Sequence, residues 1–97
     1  MDEFDFWVET TADKAHCARE RQKARVLRAS TWWQRRLQAG CCEYCGQNFP
    51  KKELTMDHRV PIARGGYSTK GNVVVACKTC NNNKKLMTPV ELILKRY

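Results

Sequence analysis

The sequence predicts a small α+β fold built on a four-cysteine metal ribbon, with a basic helical segment before it and a short helix after it. Three observations predict this. Two Cys-x-x-Cys pairs, Cys42 with Cys45 and Cys77 with Cys80, bracket 31 intervening residues. Two short β-prone stretches, 53–57 and 72–76, fall between the pairs. A run rich in Ala, Arg, Gln, Lys and Leu, free of Gly and Pro, fills residues 11–39. A chain of 97 residues makes one domain with a modest core, which a bound metal would complete. The expected organisation is an acidic arm and basic helical segment over 1–40 and a ribbon core over 41–97, packed as one compact domain.

The elements follow in order. Residues 1–10 are acidic and carry Phe4, Phe6 and Trp7, an arm whose aromatics can dock on the domain or simply fray. The segment 11–39 places Ala24, Leu27, Trp32 and Leu37 loosely on one face. Ser30-Thr31 either interrupts it or starts a second helix, and Gly40 is a helix stop. Trp32 and Trp33 point to different sides of a helix, so one is expected in the core. Residues 41–50 read as a metal knuckle, with Gly46 permitting the tight turn. Leu54 and Met56 share one face of the first strand. Pro61 and the pair Gly65-Gly66 mark residues 60–66 as a loop. Val73-Val74-Val75 form the second strand. The second knuckle at Cys77 continues as a helix through about Met87. Thr88-Pro89-Val90-Glu91 reads as a capping box opening a final helix toward Arg96.

Charge narrows the partner. Eighteen Lys and Arg against ten Asp and Glu leave a net charge of +8. That favours a polyanion, nucleic acid before an anionic membrane surface. Between Lys14 and Gly40 stand eight bases (Lys14, Arg19, Arg21, Lys23, Arg25, Arg28, Arg35, Arg36) and a single acid, Glu20. A solvated helix face usually alternates its signs, so this one-sign helix reads as a footprint for phosphates, with Arg25, Arg28 and Arg35 as candidate contacts. No apolar run is long enough to span a bilayer, and the acidic N-terminus is unlike a secretion signal. A cytoplasmic protein is expected.

Six cysteines without a secretory signal suggest a reduced metal site rather than disulfides. Cys42, Cys45, Cys77 and Cys80 make a closed set of four, the structural type of zinc site. Iron on the same thiolates, or a redox dithiol, are the other readings of those residues. Cys41 rivals Cys42, but only Cys42–Cys45 repeats the spacing of Cys77–Cys80. Cys17 reads as a small apolar residue and His16 as structural.

Asp57-His58 ends the first strand, where alternation sends the two side chains apart. A carboxylate can hold a hard cation, and a histidine with a reference pKa of about 6.5 can take a proton from water. Together they suit a one-metal phosphodiesterase.

The setting makes the pair specific. The order Cys-x-x-Cys, Leu54-Thr55-Met56-Asp57-His58-Arg59-Val60-Pro61-Ile62-Ala63-Arg64-Gly65-Gly66, Gly71-Asn72-Val73-Val74-Val75-Ala76 and Cys77-Lys78-Thr79-Cys80-Asn81-Asn82-Asn83-Lys84 resembles the HNH endonuclease family, and within it the small zinc-ribbon members that cut or nick DNA. The likeness spans residues 41–91; the basic helix lies outside it. It implies a ββα-metal core of the His-Me finger type. It implies His58 as the general base, Asn72 as a brace acting through backbone contacts, and Asp57 with Asn81 as ligands of a catalytic Mg²⁺ or Mn²⁺. Asn82 and Asn83 leave that last ligand open by one or two residues. Arg64 and Lys84 are candidate phosphate contacts, as is Lys85. The implied substrate is double-stranded DNA, cut to 5′-phosphate and 3′-hydroxyl ends. A monomer would nick one strand, and a dimer would allow a double-strand break. A prokaryotic or phage setting fits such a protein. The competing reading is a zinc-ribbon nucleic-acid-binding module without catalysis. A four-cysteine redox or iron protein is a third.

Overall fold

The computed structural model describes residues 13–95. The aromatic arm over 1–10, the first two residues of the expected helical segment and the continuation of the last helix to Arg96 lie outside the described residues. Among the described residues, four α-helices and one two-stranded sheet follow in the order α1 (Lys14–Arg28), α2 (Thr31–Ala39), β1 (Leu54–His58), β2 (Val73–Cys77), α3 (Lys78–Lys84) and α4 (Pro89–Lys95). None of these helices is long and apolar enough to cross a membrane.

The basic segment is two helices. Asp13 caps α1 by accepting the His16 N–H at 2.7 Å. Ser30 ends one helix and begins the next: its hydroxyl donates to the Leu27 carbonyl at 2.6 Å and accepts the Trp33 N–H at 3.2 Å. Gly40, at φ +72°, closes α2 in the left-handed region that glycine enters without a Cβ penalty. Trp33 is buried in the core with Cys42, Leu54, Val73, Val75 and Ala76, while Leu27 and Leu37 pack on its margin. Trp32 stays at the edge between two cations, Arg36 at 5.1 Å and Lys70 at 5.4 Å from its ring.

The strands pair antiparallel, with Leu54 opposite Cys77, Met56 opposite Val75 and His58 opposite Val73. Each begins one residue later than the sequence suggests. Glu53 is held in a 3-10 turn by its N–H on the Pro50 carbonyl, and Asn72 in a turn by its N–H on the Thr69 carbonyl. Every residue of β2 is buried, which explains its unbroken apolar run. The first knuckle adds to the β2 edge, since the Glu43 N–H donates to the Val75 carbonyl at 2.8 Å.

Helix α3 stops earlier than expected. The Cys77 thiol accepts the Cys80 N–H at 3.4 Å and so caps the helix at its metal-site end. It stops at Lys84 because Lys85 takes φ +53°, a rare value for a side-chain-bearing residue. The capping box of α4 is present, with the Glu91 carboxylate accepting the Thr88 N–H and hydroxyl and the Glu91 N–H donating to Thr88 Oγ1.

Between the strands, the loop folds back on itself at Gly66, whose N–H donates to the Pro61 carbonyl at 2.9 Å. A Cβ built there would lie 1.8 Å from the Val60 carbonyl oxygen, which is backbone and has nowhere to move. Gly66→Ala is therefore expected to destabilise the fold by about 3 kcal/mol, the upper range for forcing extra atoms into a packed site. Chemical denaturation of the two proteins measures this.

Candidate functional site

The cysteine cluster joins the knuckle to the sheet. Gly46, at φ +72°, lets the chain turn so that its N–H meets the Cys42 carbonyl at 2.9 Å. Cys77 ends β2 and Cys80 lies one turn into α3. The ligand atoms of Cys42, Cys45, Cys77 and Cys80 all lie within 4.8 Å of one another. Tetrahedral zinc with Zn–S bonds near 2.3 Å requires sulfurs about 3.8 Å apart, so the four thiols fit such an ion after a small contraction. Cys41 is exposed and its S–H turns to the carbonyls of Cys42 and Gly46, which settles the choice between the adjacent cysteines. Burial opposes the Cys42 thiolate, yet N–H groups of Cys45, Cys77 and Tyr44 outweigh it and bring the thiol down to about 6. Burial, reinforced by the neighbouring thiols, pushes Cys80 up to about 12. Four deprotonated sulfurs this close together need a cation among them.

A second site opens beside the first. A cleft of roughly 250 Å³ is lined by Asp57, His58 and Asn81, together with Arg21, Met56 and Lys85. Its floor is set by the sheet register, because Asp57 and His58 end β1, and by the cysteine cluster, because Asn81 follows Cys80.

Asp57 is nearly buried. Its Oδ2 accepts a hydrogen bond from the Tyr44 hydroxyl and faces Lys84 Nζ at 3.4 Å. Burial and the adjacent carboxylate raise the Tyr44 pKa, so the phenol stays a donor. Both contacts use Oδ2 and leave Oδ1 outside them. The Asn81 amide nitrogen donates to Thr55 Oγ1 at 3.0 Å, and that hydroxyl donates to the Ala76 carbonyl at 3.0 Å. The amide is thereby fixed with its oxygen as the remaining ligand atom. Asn83 lines a different hollow with Tyr44 and Cys80, and Asn82 is exposed. Of the three asparagines, Asn81 is the one beside Asp57 and His58.

His58 is half-buried, with Nε2 at 2.9 Å from Ser68 Oγ. Burial lowers its pKa; Asp57 opposes this, and Arg28 and Lys84 add to it. The ring is thus neutral near pH 7, the form that can accept a proton. Asn72 spans the loop below: its Oδ1 accepts the Val60 N–H at 3.0 Å, and its Nδ2 donates to the carbonyls of Val60 and Tyr67 at 3.0 and 2.8 Å.

The basic candidates divide. Arg25 and Arg35 are exposed on α1 and α2, and Arg28 lies 4.0 Å from Met56 Sδ at the lip of the cleft. Lys84 is placed differently from expectation. It is 3 % exposed, its ammonium donating to the His58 carbonyl at 3.0 Å and facing Asp57. Burial lowers its pKa and Asp57 opposes the shift. Arg64 also has partners within the protein. Its guanidinium pairs with Glu91 at 2.8 Å and reaches the Leu86 carbonyl, clasping the loop to α4.

Arg21, Tyr44, Ser68 and Glu20 are contributors that reading the sequence missed. Arg21 had a signal, since 21, 25 and 28 share one helical face. The other three had none, because a tyrosine in a knuckle, a serine in a polar loop and an acid among bases are all ordinary.

A family model described as HNH endonuclease matches residues 42–85, from the first knuckle to the end of α3. No curated protein matches the chain.

Cys77→Ser should lose bound zinc and the cooperative unfolding transition together, since structural metal binding is folding free energy. Metal analysis and thermal melting, with chelator-treated wild type as the parallel sample, check this. An unchanged melting curve at reduced zinc would count against the ribbon.

Proposed function

From the match of residues 42–85 to a family model described as HNH endonuclease, we propose that the chain is a metal-dependent DNA endonuclease. The observation that carries the reading is the convergence of Asp57, His58 and Asn81 on one cleft with arginines at its edge. A protein that only binds DNA has no use for all three.

In this reading His58, neutral and half-buried, takes the proton from the attacking water. Asp57 and Asn81 each offer one oxygen to a divalent cation. Such a sparse set leaves most coordination positions to water and phosphate, which suits Mg²⁺ or Mn²⁺ better than zinc. A cation bound there would offset charge on the transferring phosphate and on the leaving 3′ oxygen. Asn72 keeps the loop after His58 in shape, and Tyr44 and Lys84 hold Asp57 still. Arg21, Arg25 and Arg28 take flanking phosphates, with Arg35 further along the duplex. The zinc in the ribbon is structural. One site per chain cuts one strand, so a monomer nicks double-stranded DNA and leaves 5′-phosphate and 3′-hydroxyl ends; two protomers are needed for a double-strand break. Reduced thiolates suit a cytoplasmic setting, as in a prokaryote or phage.

One contact favours the alternative, a zinc-ribbon binding module without catalysis. The Lys84 ammonium beside Asp57 already offsets the carboxylate that a cation would need.

Supercoiled plasmid incubated with Mg²⁺ or Mn²⁺ separates the two. Open-circle product from wild type and none from His58→Ala, at equal zinc content, is the expected result. Cleavage by the variant would sink the base assignment, and no cleavage by wild type would favour the binding module. Arg25→Glu with Arg28→Glu should weaken DNA binding and flatten its salt dependence, the slope falling by about 0.9 for each phosphate no longer neutralised. Single-turnover cleavage at saturating protein should change little.

A further inference from the structure

The one acid of the basic segment is not on the surface with its neighbours. Glu20 is 1 % exposed and grips Ser68 at two points. Its carboxylate accepts the Ser68 N–H at 2.7 Å, and its own backbone carbonyl lies 2.6 Å from Ser68 Oγ. That amide, with Lys23 at 3.1 Å, holds the Glu20 carboxyl below its ordinary range despite burial. The same Ser68 oxygen lies 2.9 Å from His58 Nε2.

A hydroxyl has one proton to give. The Glu20 carbonyl can only accept, and an oxygen pair 2.6 Å apart needs a proton between its members. The Ser68 proton is therefore committed to Glu20. Toward His58 the hydroxyl can then only accept, so Nε2 must carry the imidazole proton. The lone pair is left on Nδ1.

We propose that Ser68 and Glu20 are positioning residues that hold His58 as its Nε2–H tautomer and present Nδ1 as the proton acceptor. This rests on the reading of His58 as the base. It also gives α1 a second task. The helix lies outside the family match, yet its Glu20 carbonyl terminates the chain of bonds that orients the ring. A further contact ties the same helix to the same loop, with His16 Nε2 donating to the Gly66 carbonyl at 2.9 Å. The helix that meets phosphates and the loop that aims the histidine are thus one mechanical unit.

The test uses the full zinc-loaded chain with ¹⁵N-labelled histidine, above the pH range in which histidines titrate. The wild-type His58 spectrum should show the Nε2–H form. In Ser68→Ala that preference should vanish, and single-turnover plasmid nicking should fall by about 10- to 100-fold, the usual effect of removing a group that orients an imidazole. Zinc content and DNA affinity should not move. Ser68→Thr, which restores a hydroxyl, should recover both tautomer and rate. A wild-type Nδ1–H spectrum overturns the proposal without any variant, which covers the case of an alanine protein that does not fold. So does Ser68→Ala with an unaltered tautomer, or with an altered tautomer and an unaltered rate. The spectrum reads the Ser68 contact without cleavage, so failure of the base reading, seen as nicking by His58→Ala, stays distinguishable from failure of the tautomer assignment.

Discussion

The four-thiol cluster is the constraint on which the rest of the structure depends. Two of its members sit at the joint between β2 and α3, Cys77 as the last strand residue and cap of the helix, Cys80 one turn on. The other two lie in a knuckle whose Glu43 N–H continues the β2 edge. An ion that drew the sulfurs together would fix the angle between strand and helix. It would thereby fix the distance from Asp57, which stands opposite Val74 in the sheet, to Asn81, which follows Cys80. The core of Trp33, Leu54 and the β2 valines packs against two of the four thiols, Cys42 and Cys77.

Around this frame the buried charges are arranged in two sets. Asp57 is held by the Tyr44 hydroxyl and the Lys84 ammonium, and Glu20 by the Ser68 amide and Lys23. A buried charge costs several kcal/mol unless paired, so each set is expected to serve position more than stability. The first steadies a candidate metal ligand. The second steadies the loop beside the candidate base.

These placements join the halves of the molecule. Trp33 from the basic segment enters the same core as Cys42 and Val75, while α1 rests on the loop between the strands through His16 and Glu20. The positive helix is built into the walls of the cleft, where Arg21 faces Asp57 and His58.

By itself the sequence determined what local chemistry can specify. Paired thiols at matched spacing, the apolar run of β2, the serine between two helices, the glycine stop at Gly40 and the Thr88–Glu91 capping box each act within a few residues, so each is legible in order along the chain. Asp57, His58, Asn72 and Asn81 were singled out because their spacing repeats a known pattern, and the structure brings Asp57, His58 and Asn81 to one cleft. Helix and strand limits were off by one to three residues, since the 3-10 turn ending at Glu53, the turn closed by the Asn72 N–H on Thr69 and the positive φ of Lys85 are not marked by residue type. Only the tertiary structure turned Lys84 inward to Asp57, clasped Arg64 to Glu91 and buried Glu20 against Ser68. Residues 48 positions apart meet there. A side chain's partner across such a distance depends on how whole elements pack, and residue type alone carries no record of it.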